Sequence, residues 1–267
     1  MKRVKAYLLI FKSLGFTKGL CFILCNNFRI EKEFSARFGQ HFLYIRSCTN
    51  DLYIVHSVLC ENEYAEFENR MLIESDSGLV VDAGGHIGGS VHKLRKLFPL
   101  NRIVVVEPED RNFMLLEKNV TQLENVSLMN AALAPMSKEG NRAFLRDRTG
   151  RAGFTIVDRA EDNPEASIIQ EVPTISLREI MNIEKSKGIA FLKVDVEGAE
   201  KIIFASDKEF ANSVSVAYIE LHDRIVAGCT ETVRNYFRDT HVEIPCTGEK
   251  LLFVRTDLSS YLMTGST

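Results

Sequence analysis

The segment Val80-Val81-Asp82-Ala83-Gly84-Gly85-His86-Ile87-Gly88-Gly89-Ser90 restricts the fold more than any other part of this chain. It passes from apolar residues through a carboxylate into a glycine-rich loop, and the helical stripe Val91, Leu94, Leu97, Phe98 follows. A second apolar run, Ile103-Val104-Val105-Val106, then ends in Glu107. Strand, glycine loop, helix and strand in that order make the βαβ unit that brings backbone close to a nucleoside ligand.

The rest of the chain supplies the sheet such a unit needs. Short apolar runs alternate with helical patterns, as in a mainly parallel α/β sheet covered by helices on both faces. Strands are expected at Leu79–Asp82, Ile103–Glu107, Val126–Ala132, Ile189–Asp195 and Val214–Leu221, with a helix over Asp110–Asn119. Their nearly continuous apolar character suits central strands buried on both sides. At the end, Val242–Pro245 and Leu251–Val254 flank the turn-forming Cys246–Lys250, which reads as an antiparallel hairpin. Arg142–Gln170 is charged and glycine-containing, and its runs Ala143–Leu145 and Gly153–Val157 read as an inserted hairpin or lid over the site.

Upstream, Phe42–Arg46 alternates like a strand and Asp51–Tyr64 reads as a helix or turn leading into Glu66-Phe67-Glu68-Asn69. With too little material for its own core, the segment 1–77 is expected to be a cap on a domain spanning 78–267, whose lid insertion lies at about 142–170. The first residues combine Lys2, Arg3 and Lys5 with the apolar Tyr7–Phe11 and Leu20–Leu24, but Lys12 and Lys18 interrupt the run. A helix packed on the main domain is the favoured reading, and a basic membrane-surface helix is the other.

A net charge of −3, without a basic block, argues against a nucleic-acid partner. Cys21, Cys25, Cys48, Cys60, Cys229 and Cys246 show neither Cys-x-x-Cys nor zinc-site spacing and read as reduced thiols of a cytoplasmic protein.

Three clusters carry chemistry. In the first, Gly84, Gly85, Gly88 and Gly89 permit close backbone approach, and Glu107 is placed for the two hydroxyls of a ribose. A dinucleotide pyrophosphate would be repelled by Asp82 beside the loop, whereas the ammonium of S-adenosylmethionine would be attracted. In the second, Phe191-Leu192-Lys193-Val194 ends in Asp195-Val196-Glu197-Gly198-Ala199-Glu200. Asp195 and Glu197 should face the crevice beyond the carboxyl ends of the strands, while Glu200 suits a helix amino terminus. In the third, Glu220 and His222 share one side of the last parallel strand. His222 is a candidate general base, and alternatively Asp195, Glu220 and His222 share a divalent metal. His86 is expected to shape the loop or cover the cofactor.

These residues resemble the FkbM-type S-adenosylmethionine-dependent methyltransferases of the class I, Rossmann-like fold. The resemblance rests on Arg46–Asp51 with Glu63-Tyr64, Val81–Gly88, Val106-Glu107-Pro108, Asn130-Ala131-Ala132, Lys193–Glu200 and Ile219–His222. One departure is Gly84-Gly85-His86, where the family usually has Gly-Ala-Asn. The resemblance implies methyl transfer to an oxygen, often a hydroxyl of a sugar or natural product. It also implies that Tyr64 and Asp51 approach the cofactor from the cap and that Asn130 or Ala131 lies near the adenine. An NAD-dependent oxidoreductase and a non-catalytic cofactor-binding protein of the same fold are the competing readings. A saccharide or small-molecule acceptor, homo-oligomerisation and peripheral membrane contact are the partner expectations.

Overall fold

The computed structural model describes residues 2–61, 64, 78–135, 142–147, 154–157 and 168–261. Glu63, Glu66–Asn69 and most of the expected lid lie outside the described residues.

A seven-stranded sheet carries the fold. Its order is β12 (His241–Pro245), β13 (Lys250–Arg255), β11 (Val214–Glu220), β10 (Ile189–Val194), β3 (Leu79–Ala83), β4 (Ile103–Val106) and β5 (Val126–Met129). The five strands from β11 to β5 are mutually parallel, while β13 runs antiparallel to both β11 and β12. The expected hairpin therefore forms, with its later strand inserted beside β11 and β12 at the edge. β3, β4 and β10 are buried along their whole length, which explains their unbroken apolar character.

Helices α3 (Gly89–Leu97) and α4 (Asp110–Val120) connect β3 to β4 and β4 to β5, and they bury Val91, Leu94, Leu116 and Val120 against the sheet. On the opposite face α5 (Leu177–Ile183), α6 (Glu200–Ile203) and α7 (Cys229–Phe237) pack over Leu192, Val194, Ala217 and Phe253. A capping box between Ser176 and Glu179 starts α5. The insertion is a small sheet of its own, ordered β6 (Ala132–Leu133), β9 (Ile168–Ile175), β7 (Arg142–Asp147) and β8 (Phe154–Val157). The expected hairpin is β7–β8. β9, which carries Pro173, was not legible as a strand, since proline lacks the donor that a ladder uses.

The amino-terminal segment docks as a cap. Helix α1 (Lys2–Asn27), kinked at Gly15, lies on the hairpin β1 (Glu33–Phe38) and β2 (His41–Arg46), and α2 (Asp51–Cys60) follows. Its core of Leu14, Phe22, Phe38, Ile45 and Leu52 also takes in Ile87 from the glycine loop and Leu115 from α4. Asn119 fastens the joint: it accepts from the Tyr44 amide at 2.7 Å and donates to the carbonyls of Tyr44 and Ile87 at 3.0 and 2.8 Å. No disulfide forms among the described residues, and Cys60 is exposed.

Candidate functional site

Chain order reverses at β3. The chain steps from β3 outward to β5, then crosses back to place β10 on β3's other side. Ligands of open α/β sheets bind at the carboxyl ends of the strands at such a switch point. Here that edge carries the glycine loop, Glu107, Asp195 and Glu220 around a cavity of about 320 Å³. A smaller one of about 70 Å³ adjoins it, and the two share Ile54, Gly84, His86, Asp195 and Glu220. The larger volume lies within the range of small-ligand pockets.

The glycines answer first to the protein. Gly84 has φ +85°, and a Cβ there would lie 1.9 Å from the Asp195 carbonyl oxygen. At Gly85 a Cβ would lie 2.2 Å from Val105 Cγ1. The loop thus lets β3 and β10 converge, a packing reason added to the ligand reason read from the sequence. Gly84 lines both cavities and Gly85 only the smaller, whereas Gly88 (φ +93°) opens α3.

Glu107 is buried yet lines the larger cavity. Its carboxylate accepts from the His86 amide at 2.8 Å, the Glu109 amide at 3.1 Å and Asn112 Nδ2 at 3.3 Å. Burial pushes its pKa up to about 7 against those bonds. Three donors leave a free acceptor position on Oε2, which takes only the His86 amide, and that suits a ligand hydroxyl.

Behind Glu107 a polar chain leads into the cap. Arg46 Nη2 donates to Asn112 Oδ1 at 2.6 Å, and Arg46 grips Asp51 through Nε at 2.8 Å and Nη2 at 3.0 Å. Burial would raise the Asp51 carboxyl, but the Arg46 bonds and charge outweigh it and hold it below the ordinary carboxylate range. Asp51 is fully buried and lines neither cavity; it reaches the site through His86, whose Nε2 lies 3.5 Å from Asp51 Oδ1. Burial depresses His86 to about 4, so its ring is neutral. His86 lines both cavities, as expected of a residue that covers a ligand.

Asp82 corrects its sequence reading. It is wholly buried, accepts from Ser90 Oγ at 2.5 Å and pairs with Lys193 Nζ at 3.0 Å. Lys193 also donates to the Gly84 carbonyl at 2.7 Å. Burial opposes the Lys193 charge, but Asp82 and Asp195 outweigh burial and raise its pKa above the ordinary lysine value. Asp82 therefore supports the loop through Lys193 and offers no oxygen to either cavity. Asn130 and Ala131, expected near the adenine, stand just behind the larger cavity's wall. Asn130 clamps the Glu107 and Pro108 carbonyls at 3.2 and 3.4 Å, Ala131 joins the core, and Ala132 and Leu133 form the wall. Tyr64, from the cap, lines the smaller cavity beside Tyr218.

Asp195 and Glu220 face both cavities, whereas His222 lies behind them with a side chain 1% exposed. Its Nδ1 bonds Glu200 Oε1 at 2.8 Å, and its Nε2 faces Asp195 Oδ1 and Glu197 Oε2, each at 3.7 Å. Burial works against a cation here, but Glu200, Asp195 and Glu197 raise the pKa to about 9. Those carboxylates favour the charged imidazole, and it is Asp195, not the buried His222, that lines both cavities. Glu200 opens the short helix α6, as the sequence implied, while its carboxylate holds His222. Reading the residues alone missed the parts played by Lys193, Ser90 and Asn112. A lysine inside an otherwise apolar central strand was the available signal, because a buried charge demands a partner.

The profile of the methyltransferase FkbM domain matches residues 82–244, more than half of the chain. Methyltransferase 1 of Beauveria bassiana is 27% identical in an alignment 168 positions long that covers 55% of this chain and 66% of that protein. The chain thus matches just under two thirds of that relative's length. Among solved structures, the fibrillarin pre-rRNA processing protein of Methanococcus jannaschii aligns with TM-score 0.41 and 10% identity over 84% of this chain and 81% of its own. Precorrin-6y C5,15-methyltransferase of Geobacter metallireducens aligns with TM-score 0.38 and 10% identity over 78% and 87%.

Proposed function

The chain belongs to the methyltransferase FkbM family, and from that premise we propose that it transfers the methyl group of S-adenosylmethionine to a hydroxyl oxygen of a sugar or other small acceptor. The observation that carries the reading is Glu107, a buried carboxylate fixed by three donors yet open to a cavity at the sheet's switch point. The donor set fits the cofactor: Glu107 would take the ribose hydroxyls, the Gly84–His86 backbone and the His86 ring would lie along it, and Ala132 and Leu133 would supply an apolar wall. When bound, S-adenosylmethionine supplies an electrophilic methyl group on a cationic sulfur.

The chain's own residues supply position and a proton acceptor. Asp195, with a side chain 35% exposed, projects into both cavities and would accept the acceptor's hydroxyl proton on a carboxylate oxygen. Ile54 and Ser57 of α2 line the crevice from the cap side. Holding two reactants in line removes much of the entropic cost of their encounter. With Asp82 paired to Lys193, its charge no longer separates S-adenosylmethionine from NAD, and the family match is what favours the methyl donor. Calorimetric titration of S-adenosylhomocysteine and of NAD into the intact chain tests the assignment. Binding of the first and not the second is expected, and the reverse would overturn it.

A further inference from the structure

We propose that Asp195, Glu220 and His222 form a divalent-cation site on the floor of the crevice. One oxygen from each carboxylate and one nitrogen of His222 lie within 4.8 Å of one another. Two ligands of a single ion stand roughly 3–4 Å apart, given bond lengths near 2.1 Å, and Asp195 and Glu220 are half-buried with room to close that difference. An independent observation points to the same place: His222 Nε2 is buried without a hydrogen-bond partner and is aimed at this cluster. Its Nδ1 is held by Glu200, the carboxylate–histidine arrangement that orients a metal-binding imidazole. Glu197 adds a further carboxylate 3.7 Å from Nε2. Two cations compete from the flanks, Lys250 at 3.8 Å from Glu220 and Lys193 at 3.8 Å from Asp195.

Two carboxylates and one imidazole suit Mn²⁺ or Zn²⁺, and the side that faces the cavity leaves room for ligand oxygens. The ion would bind the acceptor oxygen and ease loss of its proton; this role rests on the acceptor reading above, whereas the site does not. The test is calorimetric titration of MnCl₂ into the chelator-treated full chain and into Asp195→Asn and Glu220→Gln, with unfolding midpoints measured alongside. One equivalent bound by the unsubstituted chain, weakened at least tenfold in both folded variants, is expected. Absence of stoichiometric binding, or binding indifferent to both substitutions, would overturn the site. S-adenosylhomocysteine titrated into the chelated protein separates the two readings: if it binds while Mn²⁺ does not, only the cation site fails. If Mn²⁺ binds and S-adenosylhomocysteine does not, only the cofactor reading fails.

A different observation concerns α1, and from it we infer that an anionic bilayer surface binds this helix in the membrane plane. The helix is long and apolar enough to cross a membrane, but Ile10, Leu14, Phe22 and Cys25 are buried in the cap, contacts that a spanning helix would forfeit. Its outer side exposes Val4, Leu8, Phe16, Leu20 and Leu24, with Lys5, Lys12 and Lys18 also exposed and no acidic residue along the helix. An apolar face edged with lysines complements an anionic interface locally, against the chain's net charge of −3. Co-sedimentation of the intact chain with phosphatidylcholine vesicles, with and without phosphatidylserine, tests this. Binding that requires phosphatidylserine, is released by alkaline carbonate and falls at least tenfold in Leu8→Glu/Phe16→Glu is expected. Failure to bind, retention through carbonate, or loss of a dimer by the same double variant in place of vesicle binding would overturn it.

Discussion

Replacing Lys193 with methionine tests whether the glycine loop stands on a buried ion pair. The side chain keeps its length and loses its charge, leaving Asp82 with Ser90 as its remaining contact in a fully buried place. Removing one partner of a buried pair costs about 3–5 kcal/mol, because the other charge stays desolvated. At about 2–4 °C per kcal/mol for a chain of this size, the midpoint should fall by about 6–20 °C. Asp82→Asn should cost less, because Lys193 keeps the Gly84 carbonyl at 2.7 Å and Asp195 at 3.8 Å. The double variant Asp82→Asn/Lys193→Met, with no charge left unpaired, should cost less than the sum by about 1–3 kcal/mol. Urea unfolding followed by circular dichroism measures all three. Single costs below about 1 kcal/mol, or strict additivity in the double variant, would refute the argument.

Other expectations use the same geometry. Affinity for S-adenosylhomocysteine should rise between pH 5.5 and 7.5 and then level, because ligand hydroxyls donate to the ionised form of Glu107, whose pKa burial raises to about 7; calorimetry should show the slope vanish in Glu107→Gln. The sign for stability is opposite. A carboxylate raised on folding favours the folded state fully below its unfolded value near 4.5, and this is lost as pH rises through about 7, so unfolding midpoints of the ligand-free chain should fall less across that window in Glu107→Gln. Asn112→Ala removes the bridge between Glu107 and Arg46 and should weaken S-adenosylhomocysteine about tenfold, the scale of one hydrogen bond to a charged group. Gly84→Ala and Gly248→Ala both place alanine at positive φ, but a Cβ meets the Asp195 carbonyl in the first and nothing within 4 Å in the second. Denaturation should show a cost of about 1–2 kcal/mol at Gly248 and well above that at Gly84.

The parts of the fold read from sequence are those whose cause is local. β3, β4 and β10 are buried on both faces, so their apolar runs mark them without knowledge of neighbours. The insertion of β13 between β11 and β12 depends on strands far apart in sequence, and no periodicity encodes it. The site divides similarly. Glu107, Asp195 and Glu220 were legible because they end strands on one edge. Asp82 was misassigned because its partner Lys193 stands on another strand, and the protonation of His222 depends on Glu200, Asp195 and Glu197 together. Asn112, a buried polar residue of α4, reads as an ordinary helix residue until Arg46 arrives from the cap.

The contact between Gly84 and the Asp195 carbonyl has a dynamic consequence. With a backbone oxygen occupying the space of a Cβ, and the Asp195 amide bonded to the Ala83 carbonyl at 3.0 Å, the ends of β3 and β10 move as one body. The distance between loop and reacting carboxylate is then not a variable that ligand binding adjusts. Entry and exit fall to the other wall, where Ile54 and Ser57 belong to the cap. Exchange rates and relaxation should accordingly divide the crevice into a still floor and a breathing roof, with turnover paced by the roof.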